Sequence, residues 1–321
     1  MNIPKLILIG IGQSGWKEWK YGPPIASFDP YGRGTEDVPF PVLKAVDFCP
    51  SLYDGAVFVA SNDTKIPMDL AADAVISGLT CLVLKMRTAK HVDMTRLSEL
   101  SAEQKGRLFV GDQYRYRPGA MAVMEAVRCG LAGRLEYASW HCALPMAEHF
   151  PWAESYAHLT LEDLAYHHLM TLSTAIGPFS GKLYASSFSP GWSPKGEKGY
   201  CTILGRMDDG LVLQYETRWG TVVKSGNFFG EWTLEGEKGL LWTDGDCAMF
   251  SDRAGNAVSL TVPAPRYVGW SGIVDHFCEW LMGIENSQAG TLMDYSRFEG
   301  VLGLIRAGVA SEEGNSAICF P

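Results

Sequence analysis

A short apolar run followed at once by a glycine-rich turn is the sequence feature that most constrains the fold. Residues 5–9 end in Leu-Ile-Leu-Ile, and the chain continues as Gly10-Ile11-Gly12-Gln13-Ser14-Gly15. A strand that leads into this glycine spacing is typical of the first turn of a doubly wound parallel sheet, where the backbone must turn tightly. In such sheets the amides that follow the turn bind phosphate groups. The turn therefore predicts a dinucleotide-binding unit.

Residues that follow the turn indicate whether NAD or NADP is bound. The next apolar run, residues 25–28, is followed by Asp29, nineteen residues after Gly10, where a carboxylate would bind the adenosine ribose hydroxyls. An acid there favours NAD, whereas Arg33 could bind adenine or a 2′-phosphate and keeps NADP open. We predict that the dinucleotide is held by Gly10, Gly12, Gln13, Ser14, Gly15, Asp29 and Arg33. The competing interpretation is a turn that merely links a strand to a helix, because residues 16–21 leave hardly two helical turns before Gly22-Pro23-Pro24.

The apolar pattern changes character near residue 113. Before it, strand-like runs alternate with helical spacing, which predicts a parallel sheet with crossover helices. The strands are expected at 5–9, 25–28, 55–60, 80–84 and 108–111, and the helices at 67–77 and 94–105. After it, period-two alternation is typical of an antiparallel sheet with one covered face. Here the strands are expected at 134–142, 183–188, 199–207, 211–217, 226–235 and 239–243, and the helices at 120–129, 161–175, 274–284 and 295–311.

These patterns predict two domains, as does a length of 321 residues, which exceeds the size at which single cores stop growing. Residues 1–112 are expected to form an α/β Rossmann domain with a doubly wound parallel sheet. Residues 113–321 are expected to form an α+β domain with an open-faced, mainly antiparallel sheet. Whether the last helix packs back on the first domain is left open.

Composition excludes several classes of function. The net charge is −9 and the 27 Lys and Arg residues are scattered, so we expect no nucleic-acid partner. The apolar run at the N-terminus is too short for a signal peptide or a membrane span, which predicts a cytoplasmic protein that has no membrane partner. The eight cysteines occur singly and without a CxxC pair, which predicts buried free thiols and no metal site.

Two groups of residues carry candidate chemistry. Lys85 follows the strand at 80–84, at the strand end where ligands bind in open parallel sheets, although a surface lysine capping a strand is the plain alternative. Asp163 and His167 are four apart in a predicted helix and so lie on one face. Histidine is suited to taking a hydroxyl proton while a hydride leaves the same carbon. There are two alternatives to a catalytic histidine. One is a packed helical residue, which fits His168 better, and the other is a zinc site, for which no third ligand is recognisable.

Taken in order, these residues resemble the Gfo/Idh/MocA family of oxidoreductases over nearly the whole chain. Asp54-Gly55-Ala56-Val57-Phe58-Val59-Ala60-Ser61-Asn62 is similar to the family's DAVxVATPN strand, so Ser61 and Asn62 are expected to border the nicotinamide ribose. Leu84-Lys85-Met86 stands where the family has EKP, which implies that Lys85 contacts both cofactor and substrate. Gln113-Tyr114-Arg115-Tyr116-Arg117-Pro118 is similar to the entry into the family's second domain.

The catalytic helix resembles that of the family less closely. Asp163 and His167 match the family's D-x-G-x-H, in which both residues face the substrate, but Ala165 replaces the glycine and Met170 replaces an aspartate that commonly holds the substrate. The resemblance implies Lys85, Asp163 and His167 as catalytic residues. The remaining candidate substrate contacts, chosen as polar or aromatic residues near the site, are Tyr114, Arg115, Trp140, His141, Trp152 and His168.

The resemblance implies an NAD(P)-dependent dehydrogenase or reductase acting on a secondary alcohol or ketone of a sugar, cyclitol or related polyol. It also implies a homodimer or homotetramer formed through the second-domain sheet. A non-catalytic nucleotide-binding sensor on the same fold is the second hypothesis, and the shortened first helix and altered EKP triplet favour it. Retention of Lys85, Asp163 and His167 favours the enzyme.

Overall fold

The computed structural model describes residues 2–10, 16–28, 38, 40–43, 48–59, 68–84, 95–145, 156–192, 198–221, 227–261, 264, 267–284 and 295–321. The chain divides into two compact units. The first comprises Met1–Gln113 and Arg266–Phe298, and the second comprises Tyr114–Pro265 and Glu299–Pro321. The first boundary lies one residue from the predicted one. Arg266–Phe298, however, belongs to the first unit, although the sequence analysis assigned all of 113–321 to the second domain.

The first unit contains a six-stranded parallel sheet. Its strands are β1 (Leu6–Ile9), β2 (Ala26–Phe28), β3 (Val42–Leu43), β4 (Gly55–Val59), β5 (Thr80–Leu84) and β6 (Leu108–Gly111). Their order is β3-β2-β1-β4-β5-β6, and every neighbouring pair is parallel. This confirms the predicted doubly wound sheet, in which the direction of winding reverses between β1 and β4. Strand β3 was not predicted, because two residues are too short for a periodic pattern.

The helices of the first unit differ from the prediction in two places. They are α1 (Met68–Ile76), α2 (Thr95–Ser98), α3 (Ala102–Lys105) and α6 (Gly269–Leu281). The single helix expected at 94–105 is two short ones, because Ser101 and Gln104 form a capping box that begins α3 anew. Helix α6 packs on this sheet, with the rings of Phe277 and Phe109 6.2 Å apart. That packing explains why α6 belongs to the first unit.

The second unit contains a nine-stranded sheet. Its strands are β7 (Leu135–Leu144), β8 (Gly181–Phe188), β9 (Tyr200–Met207), β10 (Val212–Trp219), β11 (Glu231–Gly236), β12 (Gly239–Thr243), β13 (Ala248–Asp252), β14 (Ala257–Ser259) and β15 (Ile318–Phe320). The order is β14-β13-β12-β11-β7-β10-β9-β8-β15. Only the central pair, β7 and β10, is parallel. The mainly antiparallel sheet is thus confirmed, with three short strands, β13 to β15, that were not predicted.

One face of this sheet is covered and the other is open. Along β10, for example, Tyr215 is buried, whereas the neighbouring Gln214 is exposed. The helices of the unit are α4 (Pro118–Arg128), α5 (Ala165–Ile176) and α7 (Tyr295–Gly314), the last belonging to this unit from Glu299 on. The Oγ of Ser311 in α7 accepts the backbone N–H of Ala185 in β8 at 2.9 Å. We call the side of the sheet that carries Tyr215 the covered face and the side that carries Gln214 the open face.

The cysteines depart from the prediction of buried thiols. All eight are free, but Cys49, Cys129, Cys247 and Cys319 are exposed. Burial raises the pKa of the Cys81 thiol beyond its usual range, and it raises the pKa of Cys142 and Cys201 to about 12. Within the described ranges, no helix is long and apolar enough to cross a bilayer, and no group of three or more His, Cys, Asp and Glu side chains could hold a metal ion.

Candidate functional site

The first part of the candidate site is the point in the parallel sheet where β1, β2 and β4 end. Gly10 directly follows β1 with φ at +88°, and a Cβ added there would lie 2.6 Å from the carbonyl oxygen of Val59. Its N–H donates to the carbonyl of Phe28 at 2.8 Å. Only glycine can therefore occupy this position. Because the winding reverses between β1 and β4, this is also where open sheets of this kind bind ligands.

The other predicted dinucleotide contacts lie outside the described residues. They are Gly12, Gln13, Ser14, Gly15, Asp29, Arg33, Ser61, Asn62 and Lys85. Their chain positions are nevertheless bounded by the strands. Asp29 follows the last residue of β2, Ser61 comes two residues after β4, and Lys85 follows the last residue of β5. The strand order and the obligatory glycine at residue 10 fit a bound dinucleotide.

The second part of the candidate site is the helix that carries Asp163 and His167. Asp163 lies in a π-helical turn, Thr160–Leu164, in which the N–H of Ala165 donates to the carbonyl of Thr160. The turn leads directly into α5, which carries His167. From residue 159 to residue 173, Asp163 and His167 are the only side chains that are not buried. Single π-helical turns within helices are frequent at functional sites.

Aromatic rings surround His167. The ring of Tyr114 meets the imidazole edge-on with centroids 5.6 Å apart, and that of Tyr166 does so at 5.1 Å. Thr171 Oγ1 donates to the His167 carbonyl at 3.0 Å, which supports the helix at this residue. Tyr114 is half-buried like His167. The structure thus brings together three of the predicted site residues, Tyr114, Asp163 and His167, in the second unit.

His168 points the other way and is fully buried. Its Nε2 lies 2.7 Å from the carbonyl of Phe228, and its Nδ1 lies 2.9 Å from the hydroxyl of Tyr215. Since a carbonyl can only accept, Nε2 carries the hydrogen and Nδ1 accepts the Tyr215 proton. Burial lowers the pKa of His168 to about 3, so the ring is neutral. With both nitrogens bonded, His168 has no atom to offer a substrate, which corrects its assignment as a substrate contact.

The structure describes three further predicted substrate contacts, of which Trp140 and Arg115 are buried and His141 is half-exposed. Trp140 is 1% exposed, stacks on His168 and donates its Nε1–H to the Phe229 carbonyl at 2.8 Å. His141 follows it on β7 and lies on the open face, because successive strand residues point to opposite sides. Arg115 is 2% exposed. Strand alternation therefore corrects the prediction that Trp140 and His141 border one pocket. Trp152 lies outside the described residues.

A largely buried polar network that was not predicted supports the π-helical turn that leads into α5. His158 Nδ1 lies 3.0 Å from Glu312 Oε2, and Lys198 forms an ion pair with the other oxygen of Glu312. Thr160 Oγ1 donates to the Lys198 carbonyl at 3.0 Å, and the His158 N–H donates to Glu162 at 3.1 Å. Burial alone would raise the pKa of Glu312, but hydrogen bonds from Lys198 and His158 outweigh it and hold that pKa below its usual range. His158 and Glu312 are 154 residues apart, so no local pattern could pair them.

Comparison with solved structures identifies the fold. An oxidoreductase from Agrobacterium radiobacter in complex with NAD+, L-tartaric acid and magnesium is 15% identical, with a TM-score of 0.75 over 99% of this chain and 98% of that one. An NAD-binding protein from Listeria innocua is 15% identical, with a TM-score of 0.68 over 98% and 96%. This chain has the fold of a two-domain NAD-binding oxidoreductase.

A third structure extends the comparison. UDP-N-acetylglucosamine 3-dehydrogenase from Acidithiobacillus ferrooxidans is 14% identical, with a TM-score of 0.73 over 98% of this chain and 99% of that one. No family model and no curated protein matches the sequence. The fold is therefore shared at 14–15% sequence identity, and membership of the Gfo/Idh/MocA family remains a prediction.

Proposed function

We propose that this protein is an NAD-dependent oxidoreductase that interconverts a secondary alcohol and a ketone on a sugar, cyclitol or related polyol. The observation that carries the proposal is the exposure pattern of the catalytic helix. In a stretch that is otherwise buried, an acid and an imidazole one turn apart are the two side chains that solvent reaches. The fold is shared with an oxidoreductase crystallised with NAD+ and with a UDP-sugar dehydrogenase, which supports both the cofactor and the substrate class.

The dinucleotide would be held at the carboxyl edge of the parallel sheet. We assign the phosphates to Gly10, Gly12, Gln13, Ser14 and Gly15, the adenosine ribose to Asp29, the adenine to Arg33 and the nicotinamide ribose to Ser61 and Asn62. When bound, NAD supplies an acceptor for the hydride. NADP remains the second choice, because Arg33 could pair with a 2′-phosphate.

Side chains of this protein would transfer the proton and orient the substrate. His167 takes the hydroxyl proton, alone or together with Lys85, and returns it in the reverse reaction. Lys85 polarises the reacting oxygen, and Asp163 accepts hydrogen bonds from neighbouring hydroxyls. Tyr114, whose ring lies against His167, offers an aromatic surface to the C–H groups of a sugar.

The test is to measure binding of NADH and NADPH to the full chain and then to screen sugars and cyclitols for a change in reduced-nicotinamide absorbance. His167→Asn is expected to lower turnover by a factor of about 10² to 10⁴ while dinucleotide affinity is unchanged. Thr174→Ala is the matched control, since Thr174 is half-buried on the same helical face two turns further on. Wild-type turnover in His167→Asn would remove this residue from the mechanism.

A nucleotide-binding sensor is the second candidate function. The observation that favours it is the reduced first crossover, where the described helical structure in residues 16–25 is a three-residue turn, Trp16–Glu18. A sensor would bind NADH and yet turn over none of the polyols, and it would form a stable complex with a partner protein. Turnover of any one polyol decides for the enzyme.

We also propose that the chain self-associates through the open face of its nine-stranded sheet, as a dimer or tetramer. Large apolar side chains are exposed there, among them Tyr184, Phe188 and Leu204, which are 41%, 57% and 56% exposed. Such a concentration on one sheet face is typical of an interface. The cytoplasm remains the predicted compartment.

A further inference from the structure

The described part of the first crossover, residues 16–25, has no α-helix of the kind that usually supports the phosphate-binding turn. In doubly wound sheets a helix begins directly after the turn and packs against the sheet, which fixes the amides that face the pyrophosphate. Here the segment from residue 16 to residue 25 contains only the short turn Trp16–Glu18. Another part of the first unit must therefore hold the chain where it leaves the glycine turn.

Two carboxylates of helix α6 hold this segment. The backbone N–H of Lys20 donates to Asp275 Oδ1 at 2.8 Å, and Lys20 Nζ lies 3.3 Å from Glu279 Oε1. The hydroxyl of Tyr21 donates to the same Glu279 oxygen at 2.7 Å. The other Glu279 oxygen accepts the hydroxyl of Tyr267. Glu279 thus joins two consecutive residues of the crossover to the helix.

Helix α6 is itself firmly fixed to the sheet. A Cβ added at Gly55 in β4 would lie 3.0 Å from the Phe277 ring, and one added at Gly111 in β6 would lie 2.8 Å from Ile273. The side chain of Glu279 is fully buried, and three donors satisfy its charge. A buried carboxylate with this many partners cannot shift without leaving a donor unpaired. The attachment is therefore rigid.

We propose that Glu279 is a positioning residue for the dinucleotide. In this proposal α6 supports the chain that follows the glycine turn, as a crossover helix usually does. In the sequence, Gly12 to Gly15 come between two points whose contacts the structure describes. One is Gly10, bonded to Phe28 and packed on Val59. The other is the pair Lys20 and Tyr21, bonded to α6. The proposal rests on the dinucleotide site assigned above, and it adds a residue far along the sequence to that site.

The test compares two tyrosines that donate to the same carboxylate. Tyr21→Phe detaches the crossover from Glu279, whereas Tyr267→Phe removes an equivalent hydrogen bond on the α6 side only. On the full chain, Tyr21→Phe is expected to raise the Kd for NADH, measured by fluorescence titration, by about threefold to tenfold. Tyr267→Phe is expected to stay within about twofold of wild type, although both variants lower Tm.

Two further probes separate positioning from general destabilisation. ADP-ribose is expected to lose affinity in Tyr21→Phe by the same factor as NADH, because both carry the pyrophosphate. Glu279→Gln, which keeps an acceptor for Tyr21, is expected to bind NADH more tightly than Glu279→Ala. If Tyr21→Phe does not fold, Lys20→Met, which removes only the Nζ contact, is expected to raise the Kd in the same direction.

The outcomes distinguish this inference from the proposed function. A wild-type chain that binds neither NADH nor NADPH overturns the proposed function and the inference with it. A wild-type chain that binds NADH, with Tyr21→Phe and Tyr267→Phe affected equally, overturns the inference alone. Selective loss in Tyr21→Phe supports both.

Discussion

A histidine lies at each face of the nine-stranded sheet: His168 of helix α5 packs against the covered face, and His141 of β7 lies on the open face. Both ring nitrogens of each histidine have partners, yet the two residues differ in what they do. On the covered face, His168 is fully buried between the hydroxyl of Tyr215 and a backbone carbonyl. On the open face, His141 Nε2 lies 3.1 Å from Arg218, and its Nδ1 lies 3.5 Å from Glu216. The side chain of His141 is 38% exposed.

The difference shows that burial, not the number of hydrogen bonds, decides what a polar residue contributes. Water can replace either partner of His141, and exposed ion pairs contribute about 0–1 kcal/mol. His168 is fully buried, so water cannot replace it as the partner of the Tyr215 hydroxyl and the Phe228 carbonyl. The bonds of His168 to the covered face therefore also fix the position of His167, because His168 directly follows it along α5.

Removing His168 is expected to have the largest effect. His168→Leu keeps roughly the same volume but removes the hydrogen bonds to the Tyr215 hydroxyl and the Phe228 carbonyl, at about 1–3 kcal/mol each. We expect the free energy of unfolding, measured by urea denaturation at neutral pH, to fall by about 2–4 kcal/mol. Tyr215→Phe removes one of the two bonds, so its free energy of unfolding is expected to lie between those of the wild type and His168→Leu. A loss below about 0.5 kcal/mol in His168→Leu would contradict the comparison.

The pH dependence of stability tests the same face without removing the network. The pKa of His168 falls from its ordinary 6.5 to about 3 in the folded chain, because burial disfavours the charged ring. Below pH 6.5 the unfolded chain therefore binds a proton that the folded chain does not, and stability falls as the pH is lowered toward 3. Between pH 6.5 and 4.5 the wild type should lose about 2 kcal/mol more than His168→Gln, which cannot titrate. Parallel curves for the two proteins would show that His168 is not neutralised by burial.

A substitution on the open face is expected to change self-association and to leave the stability of the monomer nearly unchanged. Leu204→Glu places a charge among exposed apolar side chains and should shift the chain toward the monomer, as measured by light scattering. Its effect on monomer stability should stay within about 0.5 kcal/mol, because the side chain is solvated in the monomer. Ile76→Glu is the control, since Ile76 is similarly exposed at 52% but lies in the first unit. Equal molar masses for wild type and Leu204→Glu would exclude the open face as the interface.

Local sequence patterns predicted the strands that carry the site but not the contacts that hold it. The glycine spacing after β1 predicted the parallel sheet, and period-two alternation predicted β8 to β10, because both depend on neighbouring residues. The bonds of His168 join residues 47 and 60 positions away, which no local pattern reveals. The hydrogen bond that attaches α6 to the first crossover joins residues still further apart in the sequence, since Tyr21 and Glu279 are separated by 258 positions. The placement of His141 could have been foreseen, because alternation forbids Trp140 and His141 from sharing a face.

The smallest effect is expected from His141→Asn, which also tests that correction. The residue lies on the opposite face from α5, and its contacts with Arg218 and Glu216 are half-exposed. We expect stability to change by less than about 0.5 kcal/mol, because water can satisfy both partners. Turnover with any polyol that proves to be a substrate should stay within about twofold of wild type, because the His141 side chain points away from the covered face. A much larger loss of turnover would return His141 to the substrate site and show that the open face takes part in catalysis.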